Sequence, residues 1–476
     1  MGADGPLRGM AMPVVDAGAV AEHAARLLTL LGAEVAPPAA DGPRGTHEAW
    51  ASSGAVPLTG DPDGPPRSPR WSTAAAMDGA AAVFASLTAR LGRRVDVDGA
   101  ALLGERAAHT GSGRAGQVSP GGSCRMVEAA DGWLAVNLAR PDDHGLLAAW
   151  LEAPDHRFDD PWPAVRALVA RRSARELEER AASMGLPVAV VGSSPHPSAA
   201  PFSFIRNAAP AAPFDNVDER PPLVVDLSSL WAGPLCANLL GLAGANVVKV
   251  ESASRPDGAR RGSPTFYDLL HAGHHSIAVP FTEPAGRAAL RELVGLADVV
   301  VDASRPRAME QLEIDVDEVV ASGTTWVGIT AYGRTGEART RVGFGDDVAA
   351  AAGLVAGDQD RPIFLADAVA DPITGLHAAI AAVASLLAGG RHLIDVSMCA
   401  AAASTAGEPG TEVLATPSAT SPSGWVLEGT GGGPPLPVAP PRSRPSPERA
   451  APTPELVAAS VELRRVLQRE RIRGRE

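Results

Sequence analysis

Residues 222–251 constrain this chain more than any other stretch. They read PLVVDLSSLWAGPLCANLLGLAGANVVKVE. An apolar strand over 223–227 runs into a small-residue turn at 228–233. A helix is expected from about Pro234, then Gly244 and a second apolar strand over 245–250. That pattern predicts a βαβ unit of the doubly wound type, hence an α/β chain with a parallel sheet. Pro234 suits a first helical turn, where its missing N–H has no partner to lose. Small residues ahead of a helix N-terminus also let a phosphate-bearing ligand approach the backbone. No G-x-G-x-x-G is present, so an ordinary βα turn fits the spacing as well.

Composition sets the outer bounds. A chain of 476 residues, 45% of them hydrophobic, has room for two or three domains with buried cores. A net charge of −13 speaks against a general nucleic-acid surface. Cys124, Cys236 and Cys399 are far apart and fit no metal or disulfide pattern, so a reduced, cytoplasmic setting is expected. A basic segment leading into an apolar leader is missing, and no apolar run reaches about 18 residues, so neither a signal peptide nor a membrane span is expected. Lys249 is the only lysine.

Along the chain, 11–37 repeat the strand–turn–helix order of 222–251 in weaker form, with GAEV against GANV. Gly54 aligns with Gly353, Asp96 with Asp395, and an Ala-rich helix over 73–91 with one over 377–387. Residues 1–110 therefore read as a degenerate partial copy of the later module. Residues 111–200 read as a small α+β domain: an Asp131-Gly132 hairpin, a following helix, and a helix over about 165–184. Residues 201–221 read as a linker, 222–404 as the intact module, and 405–476 as a Pro/Gly-rich tail, without fixed structure over 405–447 and with a possible amphipathic helix over 454–470.

The best chemical candidate is Asp371, in PIFLADAVADPITGLHAAI (362–380). A carboxylate at a helix start is near positive backbone N–H groups and can act as a nucleophile toward a thioester. The same Asp-Pro pair is also the ordinary capping arrangement, with Asp as N-cap and Pro372 at the first helical position. Asp367 lies four residues earlier, at an expected strand end. Ser304-Arg305-Pro306 follows an apolar strand, where Arg305 would offer a fork to phosphates. Phe344-Gly345-Asp346-Asp347 opens a helix, and a solvated acidic N-terminus is the plain alternative there. His271, His274 and His275 lack convincing further ligands, so no metal is expected.

Together these stretches resemble the class III CoA-transferases, the group containing formyl-CoA transferase, carnitine CoA-transferase and alpha-methylacyl-CoA racemase. The matching pieces are VVDLS, AGP, GANVVKVE, the DGW hairpin and Asp371-Pro372-Ile373-Thr374-Gly375, which fits the family's D-x-x-[ST]-G. The resemblance implies a Rossmann-like CoA domain with a smaller α+β domain. It implies an acyl-CoA and a carboxylic acid acceptor as substrates, with coenzyme A as substrate and nothing bound permanently. Asp371 would attack the acyl-CoA, giving an aspartyl anhydride and then an aspartyl–CoA thioester. Trp231 and Ala232 would line the pantetheine arm, Ser304 and Arg305 the CoA phosphates, and Phe344, Gly345 and Asp346 the thioester. At the position aligned with Asp371, the first copy has Ser72, so one nucleophile per chain is expected. The family's N-x-x-K-R-S is replaced around His271–His275, which alters the phosphate contacts. The racemases' second acid/base His is absent, which favours a transferase over a racemase or lyase; a non-catalytic CoA-binding protein is the third reading. Relatives form interlocked homodimers, so a homodimer or a pseudo-dimeric monomer is expected.

Overall fold

The computed structural model describes residues 5–12, 18–35, 45–154, 160–194, 199–207, 212–429, 433–445, 448–463 and 465. The centre is an eight-stranded sheet. In chain order its strands are β1 (Phe202–Asn207), β2 (Leu223–Asp226), β3 (Asn246–Ser252), β4 (His275–Val279), β5 (Val299–Asp302), β6 (Thr325–Thr330), β7 (His392–Ser397) and β8 (Glu455–Leu456), in the spatial order β8-β4-β3-β2-β5-β6-β7-β1. All neighbouring pairs are parallel except β7 with β1. The expected α/β, doubly wound class is thus the fold.

Valine-rich strands suit a sheet covered on both faces. Val224, Val299, Val301 and Val327 face one core, and Val225, Val248, Val300 and Trp326 face the other, as the period of two requires. From β2 the chain builds outward through β3 and β4, then returns to β5 on the other side of β2. This reversal leaves a crevice beyond the carboxyl ends of β2 and β5, the usual ligand position in such sheets.

Seven helices position the site: α1 (Gly18–Leu30), α2 (Thr73–Arg90), α3 (Glu105–Thr110), α4 (Ala232–Leu242), α5 (Pro264–His271), α6 (Gly345–Ala351) and α7 (Ala370–Leu387). α7 is long and apolar enough to cross a membrane, yet protein sheathes it on nearly every side. It packs on α4 in its own half and on α2 from the N-terminal segment, and α1 packs on α2. Small residues make these approaches possible: a Cβ at Gly79 of α2 would sit 2.3 Å from the Val20 carbonyl oxygen of α1. One apolar core therefore runs from Val20 and Phe84 to Leu235 and Ile380.

In the N-terminal segment, Ala11–Met12 and Glu34–Val35 pair in parallel around α1, a two-stranded βαβ. Gly54 and Gly353 share left-handed φ values of 76° and 80°. The alignment fails at Asp96, which lies in a loop, whereas Asp395 sits in β7.

The small domain has three antiparallel strands, Cys124–Ala129, Gly132–Asn137 and Val188–Val190, over its own core of Leu134, Trp150 and Leu177. The helix expected over 165–184 is two helices, Pro161–Val169 and Ala174–Met184. Asp131 accepts the Ala174 N–H at 2.7 Å and the Ser173 hydroxyl at 2.8 Å, starting the second helix afresh.

Two expectations fail outright. Residues 201–221 are not merely a linker, because 202–207 extend the sheet edge, with Phe202 buried against the core. Nor do the described parts of 405–447 lack fixed structure. Val413–Leu414 pairs with Arg67–Ser68, Trp425–Leu427 is the centre of a three-stranded sheet, and β8 extends the main sheet. Leu427, Val438, Val457 and Leu463 are buried, so scattered apolar residues anchor a polar stretch that composition alone reads as loose. The helix expected from 454 is strand at 455–456; helix occupies 460–463, and most of the remainder lies outside the described residues.

Candidate active site

Asp371 stands at the start of α7, but not as its cap. The helix begins at Ala370 with Val369 as N-cap, so Asp371 is the second helical residue, with its N–H on the Ala368 carbonyl at 2.9 Å. Capping therefore does not occupy its side chain. The capping reading assumed that Pro372 marks the first helical position, whereas proline is tolerated anywhere in the first turn. Asp371 retains some exposure, while Asp346, Asp347 and Asp367 are buried.

The D-x-x-T-G spacing has a structural cause. Thr374 donates its hydroxyl to the Ala370 carbonyl at 2.5 Å, within the first turn. A Cβ at Gly375 would lie 2.7 Å from the Ala232 carbonyl oxygen, so glycine lets the first turn of α4 come flush against α7. That approach brings the Ala232 N–H to the Asp371 carboxylate. α4 begins at Ala232, two residues before Pro234, and this exposes the N–H of its first turn. Gly345 closes the other side: a Cβ there would stand 2.2 Å from Asp371 Oδ2.

The loop entering α7 is held in an unusual shape. Ala366 and Ala368 have φ of 48° and 47°, uncommon for residues with a side chain. Thr59 accepts the Ala366 N–H at 3.0 Å, and Asp346 Oδ1 accepts the Ala368 N–H at 2.9 Å. Fixed at both ends, the loop presents Asp367 inward. Arg106 of α3 clamps Asp367 through Nε, at 2.8 Å, and through Nη2. The same guanidinium lies 5.0 Å from the Trp231 ring centroid, and Trp231 meets Phe266 edge-on at 5.2 Å.

Electrostatics follow from this crowding. Burial pushes the Asp371 carboxyl up to about 7; Arg106 pulls it down, and Asp346 and Asp367 push it further up. Burial, then Asp367, raise Asp346 to about 6 against the pull of Arg106. Burial likewise carries Asp347 to about 7, although Asn137 donates to it at 2.8 Å and the Phe344 N–H at 3.0 Å.

The structure thus brings together Trp231, Ala232, Gly345, Asp346 and Asp371. Phe344 adjoins them, its ring beside the Arg140 guanidinium at 5.8 Å. Ser304 and Arg305 sit apart, at the carboxyl end of β5 across the crevice. The Ser304 N–H bonds Asp302 at 2.8 Å, and exposed Arg305 reaches toward Gly185 of the small domain. His271 and His274 are buried under the sheet edge, their rings 5.7 Å apart, with burial pulling both below the usual histidine range. No group of three candidate metal ligands occurs among the described residues.

Sequence reasoning missed Arg106, Asn137 and the role of Lys249. Nothing in 100–110 marks Arg106, because its partners are some 240 to 265 residues away. Lys249 was visible as the only lysine. Its ammonium is buried between Asp257 at 3.1 Å and Asp226 at 3.4 Å and donates to the Ser228 carbonyl. Burial pulls Lys249 down, but the two carboxylates outweigh it and hold the charge. Asp257 in turn accepts the Leu230 N–H at 3.0 Å, so the pair shapes the turn that carries Trp231.

Residues 222–427 match the family model described as CoA-transferase family III. An acyl-CoA transferase of Fusarium pseudograminearum is 33% identical over 35% of this chain and 41% of its own length. The succinyl-CoA–D-citramalate CoA-transferase of Chloroflexus aurantiacus is 28% identical over 40% and 50%. The human succinyl-CoA:glutarate CoA-transferase is 32% identical over 34% and 40%. The chain thus spans half or less of the length of these relatives. The matched segment holds most of the doubly wound sheet, the crevice and the Asp371 motif, and over this segment the chain is similar to CoA-transferase family III.

Proposed function

We propose that this chain is an acyl-CoA:carboxylate CoA-transferase with Asp371 as its nucleophile. The observation that carries the reading is the setting of Asp371. It is an uncapped, partly accessible carboxylate at a helix start, met by the Ala232 N–H and facing Arg106, at the crevice where a doubly wound sheet receives ligands. Asp371 Oδ adds to the thioester carbonyl and expels the CoA thiolate, leaving an acyl–aspartyl anhydride. The thiolate attacks the aspartyl carbonyl, releasing the first carboxylate and leaving an aspartyl–CoA thioester. The acceptor carboxylate attacks that thioester, forming a second anhydride and freeing the thiolate. Thiolate attack on the acceptor's carbonyl gives the new acyl-CoA and restores Asp371. The first-turn N–H groups of α4 and the Arg106 guanidinium are the donors within reach of negative charge developing along this path.

Relatives named for succinyl-CoA with D-citramalate or glutarate make succinyl-CoA and short dicarboxylates the first substrates to assay. The test is intact-protein mass spectrometry after mixing with acyl-CoAs, then hydroxylamine. A hydroxylamine-labile CoA or acyl adduct mapping to Asp371, and absent in Asp371→Asn, is expected. CoA binding with no adduct from any donor would sink the nucleophile reading and move a lyase, racemase or binding role ahead.

A further inference from the structure

We propose that Arg106 is the charge-setting residue of this site: α3 brings it to Asp371, Asp367 locks it there, and its guanidinium favours the carboxylate form of Asp371 that a nucleophile needs. The inference rests on the transferase reading of Asp371 and adds a residue from outside the family-matched segment 222–427.

Asp346 from α6, Asp367 from the strained loop and Asp371 from α7 face one another, and Arg106 from α3 is the cation facing all three. The Ala232 N–H of α4 also meets Asp371, while Asp347 and Cys124 lie near Asp346. Three carboxylates sharing one small volume cannot all stay ionised without a nearby positive charge. The clamp is directional. Asp367 takes the Nε and Nη2 edge, a two-point fork that fixes the plane of the guanidinium. The Trp231 ring supports the same cation at 5.0 Å. Among the described residues Nη1 makes no hydrogen bond, and 26% of the side chain is exposed, leaving one donor free toward arriving ligand.

The arrangement divides labour. Asp367 is spent as the anchor and Asp371 remains as the reactive group, which explains why two aspartates four residues apart behave differently. Lysine would supply the charge without the fork, so it replaces Arg106 only in part. Arg106 acts through Asp371 and is a positioning residue.

The test is the pH dependence of adduct formation with succinyl-CoA, read by mass spectrometry as hydroxylamine-labile enzyme, with circular dichroism to monitor folding. In Arg106→Gln the acid limb is expected to move up by about one pH unit. Adduct formation would fall about fivefold at pH 7, approach roughly tenfold at lower pH, and recover at higher pH. Arg106→Lys should fall between Gln and the parent. Arg106→Lys carries the test if Arg106→Gln does not fold. An unchanged limb with a uniformly lower rate in folded variants would make Arg106 merely structural and overturn the proposal. No adduct in the parent protein with any acyl-CoA would instead overturn the transferase reading, and this inference with it.

Discussion

At the residue scale, the site depends on atoms that are not there. Gly345 has room for no side chain: a Cβ would meet Asp371 Oδ2 at 2.2 Å and the Ala368 carbonyl at 2.5 Å. Gly345→Ala must therefore displace the carboxylate or the loop that holds it. Misplacement of about 1 Å costs on the order of 100-fold in rate. The expectation is a kcat loss of that order in the protein that remains folded, with a lowered melting temperature from the overpacking, measured against Gly64→Ala, where nothing stands closer than 3.5 Å. Equal activity in both variants would mean that Asp371 does not react from this position. Residue identity alone could not separate Asp367 from Asp371, since both are aspartates near one helix start. Their burial and the Arg106 clamp separate them.

At the element scale, α1 and α7 are joined by a histidine pair with a determined proton order. His377 Nδ1 donates to the Ile373 carbonyl at 2.7 Å, so its Nε2 must accept from His23 Nε2 at 3.0 Å. His23 Nδ1 then accepts from Arg26 Nη2 at 2.9 Å, and Arg26 also bonds the Ser404 carbonyl. Both imidazoles are neutral in this chain. Burial pulls His377 down to about 4 and His23 well below the usual range. A histidine whose folded value is lowered costs nothing when both states are neutral. Below about pH 6.5 the unfolded chain binds protons that the folded chain refuses. The pair's contribution to stability should thus be flat above that pH and fall as pH drops from about 6.5 toward 4. Asp346, Asp347 and Asp371, raised by burial, slope the other way over this window, so the readout is the difference: urea midpoints should lose less, or gain more, on acidification in a His23→Leu/His377→Leu double variant than in the parent. Equal slopes would place the acid sensitivity elsewhere.

At the scale of the whole molecule, segments far apart in sequence close the site together. Arg444 from the C-terminal stretch donates to Glu105 Oε1 at 2.8 Å and Oε2 at 3.0 Å, and to Asn238 Oδ1 at 2.9 Å. It thereby ties α3, which carries Arg106, to α4, which carries the N–H groups facing Asp371. Glu105 is 1% exposed, and a buried charge left without its partner costs about 3–5 kcal/mol. Arg444→Ala should lower the calorimetric melting temperature and slow adduct formation together, because α3 loses its anchor. A drop in stability with unchanged adduct kinetics would show that α3 keeps its place without the C-terminal stretch. The α1–α2–α7–α4 core also predicts that the N-terminal segment melts with the catalytic sheet in one transition. A separate early transition in near-ultraviolet circular dichroism would contradict that continuity.

Local pattern alone marked the strand–helix–strand unit of 222–251, because valine-rich runs, glycine turns and first-turn prolines act within a few residues; it did not mark the helix Pro264–His271 or the hairpin of Val355–Asp358 with Arg361–Phe364. It marked the D-x-x-T-G helix start and the small-domain hairpin for the same reason. Tertiary structure decided what depends on approach between distant segments. It made part of 201–221 an edge strand and ordered described parts of 405–476, since strand pairing and a few buried anchors outweigh loose composition. It freed the Asp371 side chain from capping by starting α7 two residues earlier than the Asp-Pro pair suggests. It also supplied Arg106, whose charge matters only because a carboxylate 261 residues later fixes it beside Asp371. Electrostatic coupling of this kind is set by distance in space and leaves no periodicity in the chain to read.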